Sequence, residues 1–104
     1  MDQYDVWLGE LPLELPARDA EAMLLAACSQ FGKVIEARAL GQRLAGGHCL
    51  AYVIVEGKQT ADAVAYAARA GALTVANRAV SLVIVSGPFR RSSASREHEH
   101  RTRS

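Results

Sequence analysis

The stretch HCLAYVIV, residues 48–55, is the most strand-like segment of the chain, and the fold follows from it. Its aliphatic side chains alternate in the way that a strand with one buried face requires. If Ala51 and Val53 face a hydrophobic core, Tyr52 points to the opposite face of the sheet. The stretch therefore predicts a strand with an aromatic side chain on its uncovered side.

The stretch VWLGELP, residues 6–12, repeats this arrangement near the start of the chain. If Val6 and Leu8 face the core, Trp7 lies between them and points the other way. Two large aromatic side chains, Trp7 and Tyr52, are therefore expected to share one open sheet face.

The remaining residues predict two helices and further strands. Acidic residues in the first turn favour the start of one helix at Arg18, and Thr60 is expected to cap the other. In chain order, the predicted elements are a strand at 4–8, a loop at 10–16, a helix from Arg18 to Gly32, a strand at 34–40, a flexible loop at 41–47, a strand at 48–56, a helix from Thr60 to about Ala70, a short hairpin at 73–78 and a strand at 79–85.

Apolar side chains at helical or alternating spacing are expected to form one core between helices and sheet. They are Met23, Leu24, Ala27, Cys28, Phe31, Ala61, Val64, Ala65 and Ala68 in the helices, and Val6, Leu8, Val34, Ala37, Ala39, Ala51, Val53, Val55, Val80, Leu82 and Ile84 in the strands. The open face is then expected to carry Trp7, Glu36, Arg38, Leu50, Tyr52, Ile54, Ser81, Val83 and Val85.

This order of elements predicts an α+β, ferredoxin-like fold, βαββαβ, in which two helices back one side of a four-stranded antiparallel sheet. We expect the domain to span residues 1–87. Residues 90–104 contain no aliphatic side chain larger than alanine. A disordered, Arg/Ser-rich tail is therefore predicted for residues 88–104.

Charge is distributed unevenly along the chain, whose formal net charge is +1. Residues 1–86 hold seven Lys and Arg against nine Asp and Glu, a net charge of −2, whereas residues 87–104 hold five Arg against two Glu, a net charge of +3. A slightly acidic domain cannot attract a polyanion through its overall field. Nucleic-acid binding would need local contacts, with help from the tail.

Cysteine usage and hydropathy limit the class of protein to which the chain can belong. Cys28 and Cys49 have no C-x-x-C spacing and are expected to be buried free thiols, which fits a reducing compartment. No apolar run approaches the length of a membrane span, and no room for a signal peptide precedes the first strand. We expect a soluble protein, nuclear or cytoplasmic or both, without a membrane partner.

These strands resemble two motifs of the RNA recognition motif (RRM) family. The first strand is similar to the family's hexamer through Val6-Trp7-Leu8-Gly9, and the third matches the centre of its octamer through Ala51-Tyr52-Val53. Phe31-Gly32 resembles the family's junction between the first helix and the second strand. The resemblance covers residues 4–86 and implies binding of single-stranded RNA on the open sheet face.

The octamer diverges from the family pattern. His48 replaces its basic residue, Cys49 its glycine, Leu50 its first stacking aromatic and Val55 its last, core aromatic. In the hexamer, Glu10 stands where the family usually has Asn. Two of three stacking positions therefore remain, and the resemblance implies weakened rather than abolished RNA binding.

The residues expected to bind RNA combine stacking side chains with cations. They are Trp7, Tyr52, Leu50, Arg38, Arg43, Arg90 and Arg91. Alternatives stay open for the cations, because Arg38 could instead form a solvated pair with Glu36 and Arg43 could be a mobile surface side chain.

A protein-facing surface is the main alternative to an RNA-binding face. Leu50, Ile54, Val83 and Val85 make the face unusually apolar, and a continuous apolar patch often marks a partner surface. The module would then be a scaffold subunit of an RNA-processing complex, docking through this face or through exposed Leu25. A third option has Phe89 folding back over the face to mask it.

No sequence motif points to catalysis, and no cofactor is expected. His48 and Cys49 are adjacent on a strand and point to opposite faces, so they cannot act as a base and a nucleophile together. There is no phosphate-binding loop and no zinc motif. The alternating Glu and His residues at 97–100 are interpreted as polar filler, and no metal is predicted.

Overall fold

Four long strands form one antiparallel sheet in the computed structural model, which describes residues 2–12, 14–44 and 48–89 and leaves out the side chains of 41–44, 48 and 49. The strands are β1 (Gln3–Leu11), β2 (Val34–Leu44), β3 (His48–Glu56) and β6 (Ser81–Phe89). Their order across the sheet is β2-β3-β1-β6. β2 and β6 are therefore the two edges.

Two helices, α1 (Ala17–Ser29) and α2 (Lys58–Arg69), cover one face of this sheet. Their buried side chains meet Val6, Leu8, Ala51, Val53 and Val55 in a single hydrophobic core. The predicted α+β, ferredoxin-like architecture is confirmed. The opposite face of the sheet has no helix over it among the residues that the structure describes.

Helix α1 packs through a narrow stripe. Ala20, Leu24 and Cys28 are buried at successive i, i+4 positions. The prediction that Met23 lies in the core was wrong, since its side chain is 40% exposed. One residue corresponds to about 100° around a helix, so Met23 falls beside the stripe rather than on it. Leu25 is exposed as predicted.

Helix α2 begins two residues earlier than predicted. Gly57, with a φ of 90°, precedes its first turn, so Thr60 lies inside the helix and is buried there rather than acting as its cap. The predicted core positions of this helix, Ala61, Val64, Ala65 and Ala68, are all buried. Small side chains let α2 lie close against β1 and β6.

Strands β1 and β2 extend into both predicted loops. β1 continues through Glu10, whose φ is 63°, to Leu11, which is buried and pairs with Cys49. β2 continues to Leu44, opposite His48. A bulge between Leu8 and Leu11 interrupts β1, and the strand resumes its pairing after it. A strand that continues beyond a bulge is hard to predict from a polar or Gly-containing sequence.

The register of β6 exchanges the predicted faces of two of its side chains. Leu8 pairs with Leu82 and Trp7 with Ile84, which leaves Val83 as an extra residue in a bulge. Beyond the bulge the side chains change faces, because alternation restarts one residue later. Ile84, predicted to point inward, is 56% exposed, and Val85, predicted on the open face, packs against the core.

A short hairpin precedes β6. β4 (Thr74–Val75) pairs with β5 (Arg78–Ala79) through Ala76 and Asn77, both with positive φ, as a type I′ turn requires. Buried Val75 and Leu73 close the core beneath this hairpin. The predicted hairpin is confirmed, although the predicted last strand is divided into β5 and β6.

The free edge of β2 is partly covered from α1. The Ala39 backbone N–H donates a 2.9 Å hydrogen bond to the Glu21 carboxylate. A side chain thus satisfies a backbone donor that has no neighbouring strand. The other edge strand, β6, contains no charged residue.

The structure describes only the first part of the predicted C-terminal segment. β6 continues to Phe89, which pairs opposite Gln3 rather than folding back over Val83 or Val85. The predicted tail beyond it, residues 90–104, lies outside the described residues. Within the described part of the chain, no helix is both long and apolar enough to cross a membrane.

Candidate nucleic-acid interface

One row of side chains crosses the whole open face of the sheet. In the strand register, Arg38 of β2 lies opposite Tyr52 of β3, Tyr52 opposite Trp7 of β1, and Trp7 opposite Ile84 of β6. Neighbouring strands lie ~4.8 Å apart, so the row is about 14 Å long. It presents a cation, two aromatic rings and an aliphatic side chain, in that order.

The two rings at the centre of the row touch each other. The ring centroids of Trp7 and Tyr52 are 4.8 Å apart and the ring planes are inclined by 41°. Both side chains are half-buried, not sunk among the helices. Flat aromatic surfaces of this kind can stack against unpaired bases.

Buried neighbours hold both rings in place. Val6 and Leu8 flank Trp7, Ala51 and Val53 flank Tyr52, and all four flanking side chains are fully buried. A slip of one residue would move these side chains to the open face and the rings into the core. The core therefore fixes which face the rings occupy.

The ion pair between Arg38 and Glu36, predicted as the alternative to a contact with RNA, is present in the structure. The Nε of Arg38 donates a 3.0 Å hydrogen bond to the Glu36 carboxylate; the Arg38 side chain is largely exposed, and that of Glu36 is half-buried. This hydrogen bond, together with the negative charges of Glu36 and Glu21, raises the pKa of Arg38 above its ordinary value. The guanidinium stands beside Tyr52 but shares its charge with Glu36.

A second row lies next to the first on the same face. Glu36 is opposite Ile54, Ile54 opposite Asp5, and Asp5 opposite Ser86. Asp5 was missing from the predicted open face, although strand alternation from Trp7 would have placed it there. The face therefore carries a carboxylate two residues before its tryptophan.

The chain is similar to a solved structure described as "Structure of Rna15 RRM with bound RNA (GU)". The TM-score is 0.55, the identity is 20%, and the match covers 92% of this chain and 96% of that chain. The chain has an RRM-like fold. That neighbour is an RRM with bound RNA. No family model and no curated protein matches the sequence.

The other sequence-predicted RNA contacts are only partly placed on the RRM-like fold. Leu50 is half-buried two residues before Tyr52, on the same face by alternation. Arg43 belongs to β2 and pairs opposite Cys49, but its side chain is outside the described set. Arg90 and Arg91 lie outside the described residues altogether.

The β6 end of the open face is apolar and uncharged. Val83 and Ile84 are 52% and 56% exposed, and Ser81–Phe89 contains no charged side chain. The β2 end carries Arg38 and Glu36. The face therefore changes from ionic at one edge to aliphatic at the other.

A shallow groove of about 350 Å³ lies apart from the aromatic rings, between α1 and the outer edge of β2. Its lining includes exposed Leu25 and Ile35 together with Arg18 and Arg38. Among residues 2–12, 14–44 and 48–89, no three His, Cys, Asp or Glu side chains group as metal ligands would. The Glu and His residues at 97–100 lie outside those ranges.

Proposed function

We propose that this protein binds single-stranded RNA across its open sheet face, with one base on Trp7 and a neighbouring base on Tyr52. The observation that supports this proposal most strongly is the contact between the two rings, 4.8 Å apart on a face without a covering helix. Each base–aromatic platform contributes about 1–3 kcal/mol to single-strand binding. Two platforms would give a site of modest affinity.

Cations next to the rings would supply phosphate contacts. Arg38 lies directly beside Tyr52 in the register and is exposed. Arg43, Arg90, Arg91 and the apolar Leu50 complete the proposed contact set. Because the domain itself is slightly acidic, most of the electrostatic attraction would come from the arginines of residues 90–104, and binding should weaken as salt increases.

The decisive experiment removes both rings. We expect the Trp7→Ala, Tyr52→Ala double variant to lose at least about 30-fold in affinity for a short uridine-rich single strand, because two stacking platforms disappear. Fluorescence anisotropy at fixed salt measures the affinity, and circular dichroism with thermal melting confirms that the fold remains.

Tyr66→Ala is the matched control, since Tyr66 is a 74% exposed aromatic residue on α2, which covers the opposite side of the sheet. Its affinity should equal that of the unmodified chain. A folded double variant that binds RNA as well as the Tyr66 variant would remove the sheet face from the mechanism.

A protein-binding scaffold role is the second candidate, and the exposed Val83 and Ile84 at the uncharged edge favour it. In that case RNA would reach only the tail or a partner protein. Amide chemical-shift mapping with a pool of short single strands separates the two candidates. Shifts at Trp7 and Tyr52 support the RNA-binding face, whereas shifts confined to residues after 89 that vanish with salt support the scaffold.

We further propose a role in RNA processing, in the nucleus or the cytoplasm. The composition of residues 90–104, in which five arginines are interleaved with serines, supports this assignment. Such a tail attracts phosphate non-specifically, and serine phosphorylation would weaken that attraction by adding negative charge.

A further inference from the structure

We propose that Asp5 reads the base stacked on Trp7 and selects guanine at that position. The inference rests on the proposed RNA-binding function and adds a specificity-determining residue to the same face.

Asp5 and Trp7 are on the same side of the same strand. Val6 between them is fully buried, so both neighbours point to the open face. From Asp5 to Trp7 the pairing with both β3 and β6 is continuous, and the shifts in the β6 register lie just outside this segment, between Gln3 and Asp5 and between Trp7 and Leu8. Two residues along a strand span about 7 Å, which is the distance from the centre of a stacked base to groups just beyond its edge.

The surroundings of Trp7 offer a base few polar contacts. In the register its lateral neighbours are Tyr52 and Ile84, and the next residue on its own side of β1 is Gly9, which has no side chain. Among these immediate neighbours on the described part of the face, Asp5 alone is charged. A base on Trp7 therefore meets a carboxylate at one edge and apolar or aromatic surface elsewhere.

A carboxylate discriminates strongly among the four bases. Ionised Asp is an acceptor only, with two oxygens and about four lone pairs, so it can serve a base edge in addition to its contacts within the protein. Guanine presents two adjacent donors, N1–H and the N2 amino group, which match both oxygens. Adenine and cytosine place a ring-nitrogen acceptor beside their amino group, and uracil flanks its N3–H with two carbonyls.

The position on Tyr52 has the opposite polarity. Its charged neighbour in the register is Arg38, which has donors only. The two stacking positions therefore differ, with an acceptor beside Trp7 and a donor beside Tyr52. A specific base preference is expected at the Trp7 position, whereas Arg38 can serve a phosphate at the other.

The test uses short uridine-rich strands that differ at one central position, which holds guanine, adenine or inosine. Inosine keeps the N1–H donor of guanine and lacks the N2 amino group. We expect the unmodified chain to bind the guanine strand about tenfold more tightly than the adenine strand, as for a well-formed bidentate base contact. The inosine strand should fall between them.

Asp5→Asn then removes one acceptor and the charge. The guanine-to-adenine ratio should fall to about twofold or less, while binding to the all-uridine strand is retained, because the rings remain. Asp62→Asn, at an exposed position of α2, is the control and should keep the full ratio. The inosine comparison tests the same contact in the unmodified chain and does not depend on how any variant folds.

The possible failures are distinguishable. Equal affinity for the guanine, inosine and adenine strands, or a ratio that survives in Asp5→Asn, overturns the role of Asp5 while the stacking face stands. If Trp7→Ala, Tyr52→Ala binds all strands as tightly as the unmodified chain, the proposed function fails, and this inference fails with it.

Discussion

The two faces of the sheet are built from alternate residues of the same strands, yet they differ in burial and in chemistry. On the helix side, Val6, Leu8 and Val53 are fully buried in one apolar core. On the open side, Trp7 and Tyr52 contact each other and remain half-exposed. One strand can therefore hold the fold together with one set of side chains and leave the other set available for contact.

If that separation is correct, substitutions at neighbouring positions should affect different properties. Core truncation should lower stability, and truncation on the open face should lower affinity. Three experiments test this contrast, one across both faces, one within the core and one on the open face.

The largest contrast is expected between Leu8→Ala and Trp7→Ala. Loss of a buried leucine side chain leaves a cavity and should lower the free energy of unfolding by about 3 kcal/mol. Loss of Trp7 removes one partner of an aromatic pair and should lower it by about 1 kcal/mol. RNA affinity should change in the opposite order: Trp7→Ala should lose about tenfold, as expected for one stacking platform, and folded Leu8→Ala should lose much less.

Urea unfolding and anisotropy on the same preparations measure both quantities. The predicted contrast is wrong if Trp7→Ala lowers the free energy of unfolding as much as Leu8→Ala does. It is also wrong if Leu8→Ala, under conditions in which it is folded, binds RNA less tightly than Trp7→Ala.

A pH dependence in the core is the next largest effect. Burial raises the pKa of the Cys28 thiol from 9.0 to about 12. Between these values the unfolded chain releases the thiol proton and the folded chain keeps it. The free energy of unfolding should therefore fall by about 1.4 kcal/mol per pH unit as the pH rises through this window.

Cys28→Ala supplies the comparison, because the remaining tyrosines and lysines titrate in both proteins. The stability advantage of the unmodified chain should shrink steadily between pH 9 and pH 11 in urea titrations. A constant difference across that range would show that Cys28 is not buried as a neutral thiol. At neutral pH a thiol with so high a pKa should react slowly with thiol reagents.

The smallest expected effect is that of Arg38→Ala on the open face. Its exposed ion pair with Glu36 should contribute little to stability, so the urea midpoint should not move. RNA binding should lose one phosphate contact, and the slope of log affinity against log salt should become shallower by about 0.7. Arg69→Ala, at an exposed position of α2, should leave both quantities unchanged.

An unchanged salt slope in Arg38→Ala would mean that Glu36 keeps the guanidinium from phosphate. Glu36→Gln then distinguishes the two states of this pair. If the pair competes with RNA, releasing Arg38 should strengthen binding, most clearly at low salt where the interaction is least screened.

Much of the fold could be predicted because local patterns and packing agree. Strand alternation around Trp7 and Tyr52, the Ala-rich stripe of α2 and the glycines between elements correctly predicted parts of the observed fold. The errors in side-chain placement have two causes. Met23 lies at the margin of the buried stripe of α1, whereas Ile84 and Val85 follow a bulge that shifts the alternation of β6, and an ideal period reveals neither.

The proposed site was predictable to a similar extent. That both rings lie on one face follows from strand alternation alone. Their contact at 4.8 Å does not, because it depends on the register between β1 and β3, which distant residues set. The same holds for the pairing of Trp7 with Ile84, which the bulge at Val83 creates.

The amino-acid sequence alone assigns the side chains of each regular strand to two opposite faces, since alternation is a property of the extended backbone. Tertiary structure decided which strands are neighbours and how far each is shifted, since pairing depends on hydrogen bonds and core contacts between residues far apart in the chain. It thereby brought Arg38, Tyr52, Trp7 and Ile84 into one row and placed Asp5 beside it.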